Sequence, residues 1–227
     1  MRIPLTRYGL PEVAVYPAGI AVLMVILAVF GPAVLPTWAV VLIEAVLATI
    51  LVWALLFFRD PHRAVPQDDS LLLAPADGKI MDVEAVEGVD FIDGPALRVG
   101  IFLSLFNTHI NRAPCNARVE KIAYRRGKYL AAMNPLAGKV NESNAIGLVR
   151  ANRDRLLVRQ VSGAVARRIV CAAQEGQQLA GGEPFGMIKF GSRTELYMPS
   201  NGKIECLVRV GDRVKAGITP VARYSEQ

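Results

Sequence analysis

From Val13 to Phe58 the chain carries one formal charge, Glu44, in 46 residues. As continuous helix that run would be roughly 70 Å long, more than twice the hydrocarbon thickness of a bilayer. Gly31-Pro32 and Pro36-Thr37 interrupt it near its middle, and both pairs favour a turn over a helix. The sequence therefore predicts an N-terminal membrane hairpin over 1–58, with helices at about 13–30 and 38–58. A cleaved signal peptide is excluded by the length of the run and by its second span. A buried helical hairpin in a soluble core is the other arrangement such a run permits. Arg2 and Arg7 precede the first helix, Arg59 and Arg63 follow the second, and the turn has no basic residue. Positive-inside bias then puts both ends, and everything after Phe58, on the cytoplasmic face of the cell (inner) membrane. Glu44 within the second span calls for a helix partner or a contact with the domain beyond it.

Charge separates the two parts. Residues 1–58 hold two arginines and two glutamates, so residues 59–227 hold the whole net charge of +6. Basic residues cluster at Arg125-Arg126-Lys128, at Arg150, Arg153, Arg155 and Arg159, and at Arg167-Arg168. On a domain tethered to a cytoplasmic leaflet, anionic membrane lipid is the expected partner. Nucleic acid is not expected, because the basic stretches lack interleaved aromatics. Cys115, Cys171 and Cys206 have neither metal nor redox spacing and suit a reducing compartment. With only His62 and His109 present, a histidine-rich metal site is excluded, and no metal is expected.

After a proline-punctuated linker at 59–70, residues 71–227 read mostly as short strands rich in Val, Ile, Leu and aromatics, bounded by Gly, Pro, Asn or Asp. "SGAVARRIVCAAQ" is the best helical candidate. Two weak internal repeats appear: "APADGKIMDV" with "MPSNGKIECL", and "EGQQLAGGEPFG" with "VGDRVKAGITPV". The pattern resembles the hairpins of barrel-sandwich domains of the biotinyl/lipoyl-carrier type. The expected fold is mainly β (α+β), a carrier-like β domain with few helices behind the membrane hairpin. The positions equivalent to a carrier's hairpin tip are Ala76-Asp77 and Ser200-Asn201, and neither has the lysine that would bear a cofactor.

One stretch resists this reading. "IKFGSRTELYMP" has strand residues on both sides of Gly191-Ser192, a pair that costs backbone entropy and fills no core. A hairpin turn or bulge is the plain explanation. Taken with "APADGKI", "LSLFNTHINRAPCN", "FFRDPHR" and "VSGAVARRIVC", however, the stretch resembles the phosphatidylserine decarboxylase proenzymes of the short bacterial type. The likeness runs over nearly the whole chain, in the same order.

That resemblance implies a self-cleaving, pyruvoyl-dependent enzyme that converts phosphatidylserine to phosphatidylethanolamine and CO2 in phospholipid biosynthesis. The Gly191-Ser192 bond would break, leaving a β chain 1–191 and an α chain 192–227 headed by a pyruvoyl group made from Ser192. This cofactor condenses with the substrate amine as a Schiff base and serves as electron sink. The mature protein would be a heterodimer of its own two chains, with any higher homo-oligomer left open. His109 matches the family's motif histidine and would carry protons, a role its near-neutral titration suits. Asp77 matches the carboxylate that orients the base, with an ordinary Asp-Gly turn as the other reading. Many members carry a second histidine three residues on, where this chain has Arg112, which cannot act as a general base. Either His109 does both jobs, or Asp77 or a water activates Ser192, while Arg112 contacts an oxyanion or carboxylate. Glu142, in "GKVNESN", lines the site or is structural. Three other readings stay open: a membrane-tethered carrier or adaptor without catalysis, a pyruvoyl decarboxylase of a small soluble amino acid, and the same chemistry on another serine lipid.

Overall fold

The computed structural model describes residues 4–164, 168–189 and 191–225. The chain divides into two compact units, Met1–Pro61 and His62–Gln227.

The first unit is a helical hairpin: α1 (Glu12–Phe30), a 3-10 turn at Gly31–Ala33, and α2 (Thr37–Phe57). The helices have 19 and 21 residues, or roughly 29 and 32 Å, each a match to the hydrocarbon core of a bilayer. Apolar side chains face outward all around both helices, a pattern that needs an apolar surrounding rather than water. The flanking segments run side by side. The Thr6 N–H donates to the Phe58 carbonyl at 2.9 Å and the Asp60 N–H to the Pro4 carbonyl at 2.7 Å. Both ends of the hairpin therefore emerge together. Glu44 is half-buried on α2, and its Oε1 is out of solvent without a hydrogen-bond partner among the described residues.

The second unit is built from fourteen strands among its described residues. They are β1 (Leu71–Leu73), β2 (Gly78–Val86), β3 (Ala96–Leu103), β4 (Ile110–Arg112), β5 (Ala117–Arg125), β6 (Ser143–Val149) and β7 (Arg155–Val161), followed by β8 (Arg168–Cys171), β9 (Gln178–Leu179), β10 (Pro184–Lys189), β11 (Ser192–Pro199), β12 (Ile204–Cys206), β13 (Arg213–Val214) and β14 (Pro220–Tyr224). A single helical turn, α3 (Ala137–Val140), lies between β5 and β6. A curled eight-stranded sheet has the order β13-β2-β3-β11-β7-β6-β5-β9, and two three-stranded sheets have the orders β1-β14-β12 and β4-β10-β8. Leu72, Ile80, Val99, Ile101, Val119, Ile146, Leu148, Val158, Leu196 and Met198 are buried together between the layers.

The strand order is palindromic because the unit consists of two interlocked copies of one motif. Leu71, Leu72 and Leu73 pair with Arg223, Ala222 and Pro220, skipping one residue. Ile110, Asn111 and Arg112 pair with Met187, Gly186 and Pro184, with the same skip. Ile80 to Asp82 bulges against β3 as Val119 to Lys121 bulges against β6. The copies meet where β11 and β7 pair, at Leu196 opposite Val158. One copy, β4 to β10, is inserted between β3 and β11 of the other.

This architecture changes several expectations. The repeat of Glu175–Gly186 with Val210–Val221 is structural: Gly176 and Gly211, and Gly182 and Gly217, share positive φ, and Leu179 and Val214 are both buried. The counterpart of Ala74–Ile80, however, is Ala113–Val119, not Met198–Ile204. The equivalence is masked because Asp77-Gly78 is replaced by Asn116-Ala117. Ala76 and Asp77 are buried, so they form no exposed tip. The expected helix after Ser162 is not formed over 168–171, where Ile169 and Val170 pair with Ile188 and Met187; residues 165–167 lie outside the described residues. A partner strand, together with the β preference of branched side chains, overrides weak local helicity.

Candidate active site

Gly191-Ser192 is neither hairpin nor bulge. β10 belongs to a three-stranded sheet and β11 to the eight-stranded one, so the chain changes sheets at this pair. Gly191 has φ +64°, and the nearest atom to a Cβ placed there would be Leu105 Cδ2 at 3.9 Å. Space is available. Glycine is needed here for the left-handed backbone, which a side chain would strain.

Ser192 then starts β11 wholly buried, paired with Leu103. Its Oγ is out of solvent and has no hydrogen-bond partner among the described residues. A buried hydroxyl left unbonded costs free energy and calls for an explanation. His109, also wholly buried, precedes β4. Its Nδ1 lies 3.0 Å from the Asn107 carbonyl, and its Nε2 accepts the Gly191 N–H at 3.3 Å. A carbonyl can only accept and an N–H can only donate, so these partners assign a neutral ring with the proton on Nδ1 and a lone pair on Nε2.

The Gly191 carbonyl is closely covered. A Cβ at Gly163 would lie 2.1 Å from the Gly191 oxygen and 3.3 Å from Ala132 Cβ, so only glycine admits this approach. Asn141 fixes the cover. Its Nδ2 donates to the carbonyls of Ser162 at 2.8 Å and Leu130 at 2.9 Å, and its Oδ1 accepts the Leu130 N–H at 2.9 Å. Ser162 donates its N–H to the Glu142 carbonyl at 3.0 Å. Side chains along β11 alternate between faces. On the face of Ser192, Thr194 Oγ1 accepts from Asn111 Nδ2 at 2.8 Å, and Asn111 Oδ1 accepts from Gln160 Nε2 at 2.9 Å. On the other face, Arg193 Nη2 reaches Asp82 at 2.7 Å and its Nε reaches Glu195 at 2.8 Å. Burial would lower the Arg193 pKa, but Glu195 and Asp82 outweigh it and raise it above the ordinary value. Gly163, Asn141, Asn111, Gln160 and Thr194 escaped the sequence reading. For Asn111, Gln160 and Thr194 the local signal was a polar residue set in an otherwise apolar strand, whereas Asn141 and Gly163 lie outside the strands.

The remaining candidates stand in other surroundings. Both oxygens of Asp77 are engaged: Oδ1 accepts the Ala216 N–H at 2.7 Å, and Oδ2 pairs with Arg63 at 2.8 Å. Arg112 is buried, and its Nη1 donates to the Gly182 carbonyl at 3.0 Å. Glu142 turns its carboxylate to Tyr124, whose hydroxyl donates to Oε1 at 2.5 Å, while Oε2 is buried without a partner among the described residues. That bond raises the Tyr124 pKa. The structure thus brings Gly191, Ser192 and His109 together. It sets Asp77 and Arg112 at the two repeat turns, and Glu142 beneath Ser162 through its backbone. Among the described residues, no group of His, Cys, Asp and Glu is arranged to hold a metal.

Comparison with known proteins agrees over nearly the full length. A model of the family described as phosphatidylserine decarboxylase matches residues 50–222. The phosphatidylserine decarboxylase proenzyme of Symbiobacterium thermophilum is 43% identical over 227 residues, covering 100% of this chain and 99% of its own. The proenzyme of that name from Rhodopirellula baltica is 41% identical over 226 residues, covering 99% and 90%. The one from Carboxydothermus hydrogenoformans is 42% identical over 174 residues, covering 77% and 81%.

Proposed function

The chain belongs to the phosphatidylserine decarboxylase family, and from that premise we propose that it cuts itself at Gly191-Ser192 and then decarboxylates phosphatidylserine to phosphatidylethanolamine. The observation that carries this reading is the buried, unbonded Ser192 hydroxyl beside a residue whose N–H is held by His109 Nε2.

His109 Nε2 lets go of the Gly191 N–H and takes the Ser192 Oγ proton as Oγ attacks the Gly191 carbonyl carbon. The C–N bond breaks, the Ser192 nitrogen takes that proton, and Gly191 is left esterified to Oγ. Loss of the Ser192 α proton expels Gly191 as a carboxylate and leaves dehydroalanine. Water then replaces the nitrogen, which departs as ammonia, and the new chain begins with a pyruvoyl group. No outside oxidant or reductant is required. The covered carbonyl and fixed backbone hold the reacting atoms together, which can supply much of the rate of an intramolecular step.

The residues present suit such a group: β11 has neighbours on both edges, β3 and β7, so its new end stays in place once the bond is cut. The Arg193 clamp on Asp82 and Glu195 fastens the second residue of the α chain, and the Asn111–Thr194 bond fastens the third. When present, the pyruvoyl carbonyl supplies an electron sink for the amine-bearing substrate as CO2 leaves. His109 Nε2, bare again after self-cleavage, takes up the proton that the substrate ammonium sheds and returns it to the substrate carbon. Asp77 orients Arg63 and the turn at Ala216, and its charge adds to the field of the site. The arginines flanking the helical hairpin support a cytoplasmic location for residues 62–227 at the inner membrane, by the positive-inside bias.

Intact mass tests the first step. Wild type should give two fragments, 1–191 and 192–227, the smaller blocked at its N-terminus and reactive with hydroxylamine. Ser192→Ala should stay a single chain and release no CO2 from phosphatidylserine. Lipid turnover by a single uncut chain would end this reading.

A further inference from the structure

Two loops border Gly191, and both carry apolar side chains in the open. In the first, residues 104–108, Leu105 comes within 3.9 Å of a Cβ position at Gly191, and the next residue, Phe106, is 77% exposed. The Asn107 carbonyl of this loop holds His109 Nδ1 at 3.0 Å. The second, residues 126–136, is tied through Asn141 to Ser162 and brings Ala132 over Gly163. It presents Met133 at 60% and Leu136 at 54% exposure. Neither loop contains an aspartate or glutamate, whereas Arg126 and Lys128 stand exposed in the second. Large apolar side chains held open on a rim mark a surface meant for something other than water. Apolar tips with adjacent cations match an anionic bilayer surface, with the tips among the upper acyl chains and the cations at the phosphates.

We propose that loops 104–108 and 126–136 form a docking rim that dips into the bilayer and holds the site at headgroup depth. The proposal rests on the reading of the site as one that processes a lipid headgroup, and it adds where the lipid comes from. A buried reacting atom cannot wait for a phospholipid to leave the membrane, because withdrawing two acyl chains exposes their whole apolar surface to water. Seating the rim in the bilayer brings the carboxylated headgroup to the site while the chains stay in the apolar phase. The bilayer therefore covers Phe106 and Met133 when the enzyme works.

The test uses the full chain in nanodiscs of phosphatidylcholine and phosphatidylglycerol, with Trp38 and Trp53 replaced by phenylalanine. Single tryptophans are then placed by Phe106→Trp, Met133→Trp and, as a control, Asn152→Trp. Because β7 runs antiparallel to β11, Asn152 lies about 20 Å away, at the far end of the same pair of strands. Brominated acyl chains should quench the first two by about half and leave the third unchanged, as expected for side chains buried in the headgroup and acyl boundary. Hydrogen exchange on the unmodified protein gives a second measurement: both loops should exchange more slowly in nanodiscs with anionic lipid than without. If 106 and 133 are quenched no more than 152, or crosslink to a second copy instead, the docking rim is wrong. Neither readout needs turnover, so the outcome is separate from that of the cleavage assay.

Discussion

The start of β11 and the start of β7 are the same step in the two copies of the motif. Gly191 has φ +64° and precedes Ser192; Arg153 has φ +68° and precedes Asp154. Arg153 sits in an exposed turn in which its N–H donates to the Arg150 carbonyl at 2.9 Å. A left-handed residue is thus how this motif leads a chain into the middle of its sheet, and a side chain can tolerate it where water and a turn satisfy the backbone. The left-handed conformation therefore does not by itself make a bond reactive. At Gly191 the same step is buried, crosses between sheets, lies against His109 Nε2 and ends in an unbonded hydroxyl. A second pair of counterparts makes a similar point. Asp77 Oδ1 accepts the Ala216 N–H, and Asn116 Oδ1 accepts the Gly181 N–H at 2.8 Å. The turn needs an oxygen there but not a charge, so the charge of Asp77, paired with Arg63, is an addition specific to one half.

The largest effect separates the two steps outright. Ser192→Ala should abolish cleavage, while Asp154→Ser, which puts a hydroxyl after a left-handed residue in the other copy, should produce no second cut by intact mass. A cut at 153/154 would mean that backbone geometry suffices. Next comes His109→Ala, expected to slow self-cleavage by about 10²–10⁴-fold, the usual contribution of a positioned proton carrier, as followed by gel over time. Asp77→Asn should keep the cap, as Asn116 does, but it leaves the largely buried Arg63 guanidinium without its counter-charge and should cost about 3–5 kcal/mol of unfolding free energy. Cleavage or decarboxylation should fall at least tenfold; unchanged rates would reduce Asp77 to a turn residue like its counterpart. Gly191→Ala should destabilise by about 1–2 kcal/mol, whereas Arg153→Gly should stay within about 1 kcal/mol of wild type, read by denaturant midpoints on the Ser192→Ala background.

The smallest effect is confined to alkali and to one copy. Burial pushes the Cys115 thiol up to about 11 from 9.0, while its counterpart is Ala76. The folded form holds its proton where the unfolded chain has lost it, so this stability is present below pH 9 and lost as pH rises toward 11. The loss amounts to at most about 3 kcal/mol. Cys115→Ala should flatten that part of the pH–stability curve, and a curve of unchanged slope would show that Cys115 does not set it.

The sequence by itself determined the helical hairpin and the mainly β character of residues 71–227. Length, hydropathy and strand-forming side chains act locally, through how each segment partitions between water and an apolar phase. It also singled out Gly191-Ser192, because a flexible pair between apolar strand residues conflicts with its neighbours. Tertiary structure alone decided what that conflict means. His109 and Gly191 meet across 82 residues of chain, and Asp82 meets Arg193 across 111. The strand expected as a helix at 168–171, the true counterpart of Ala74–Ile80 and the glycine over the scissile carbonyl all depend on register between distant strands. Register is set by the simultaneous burial of both copies, and no window of local sequence contains that information.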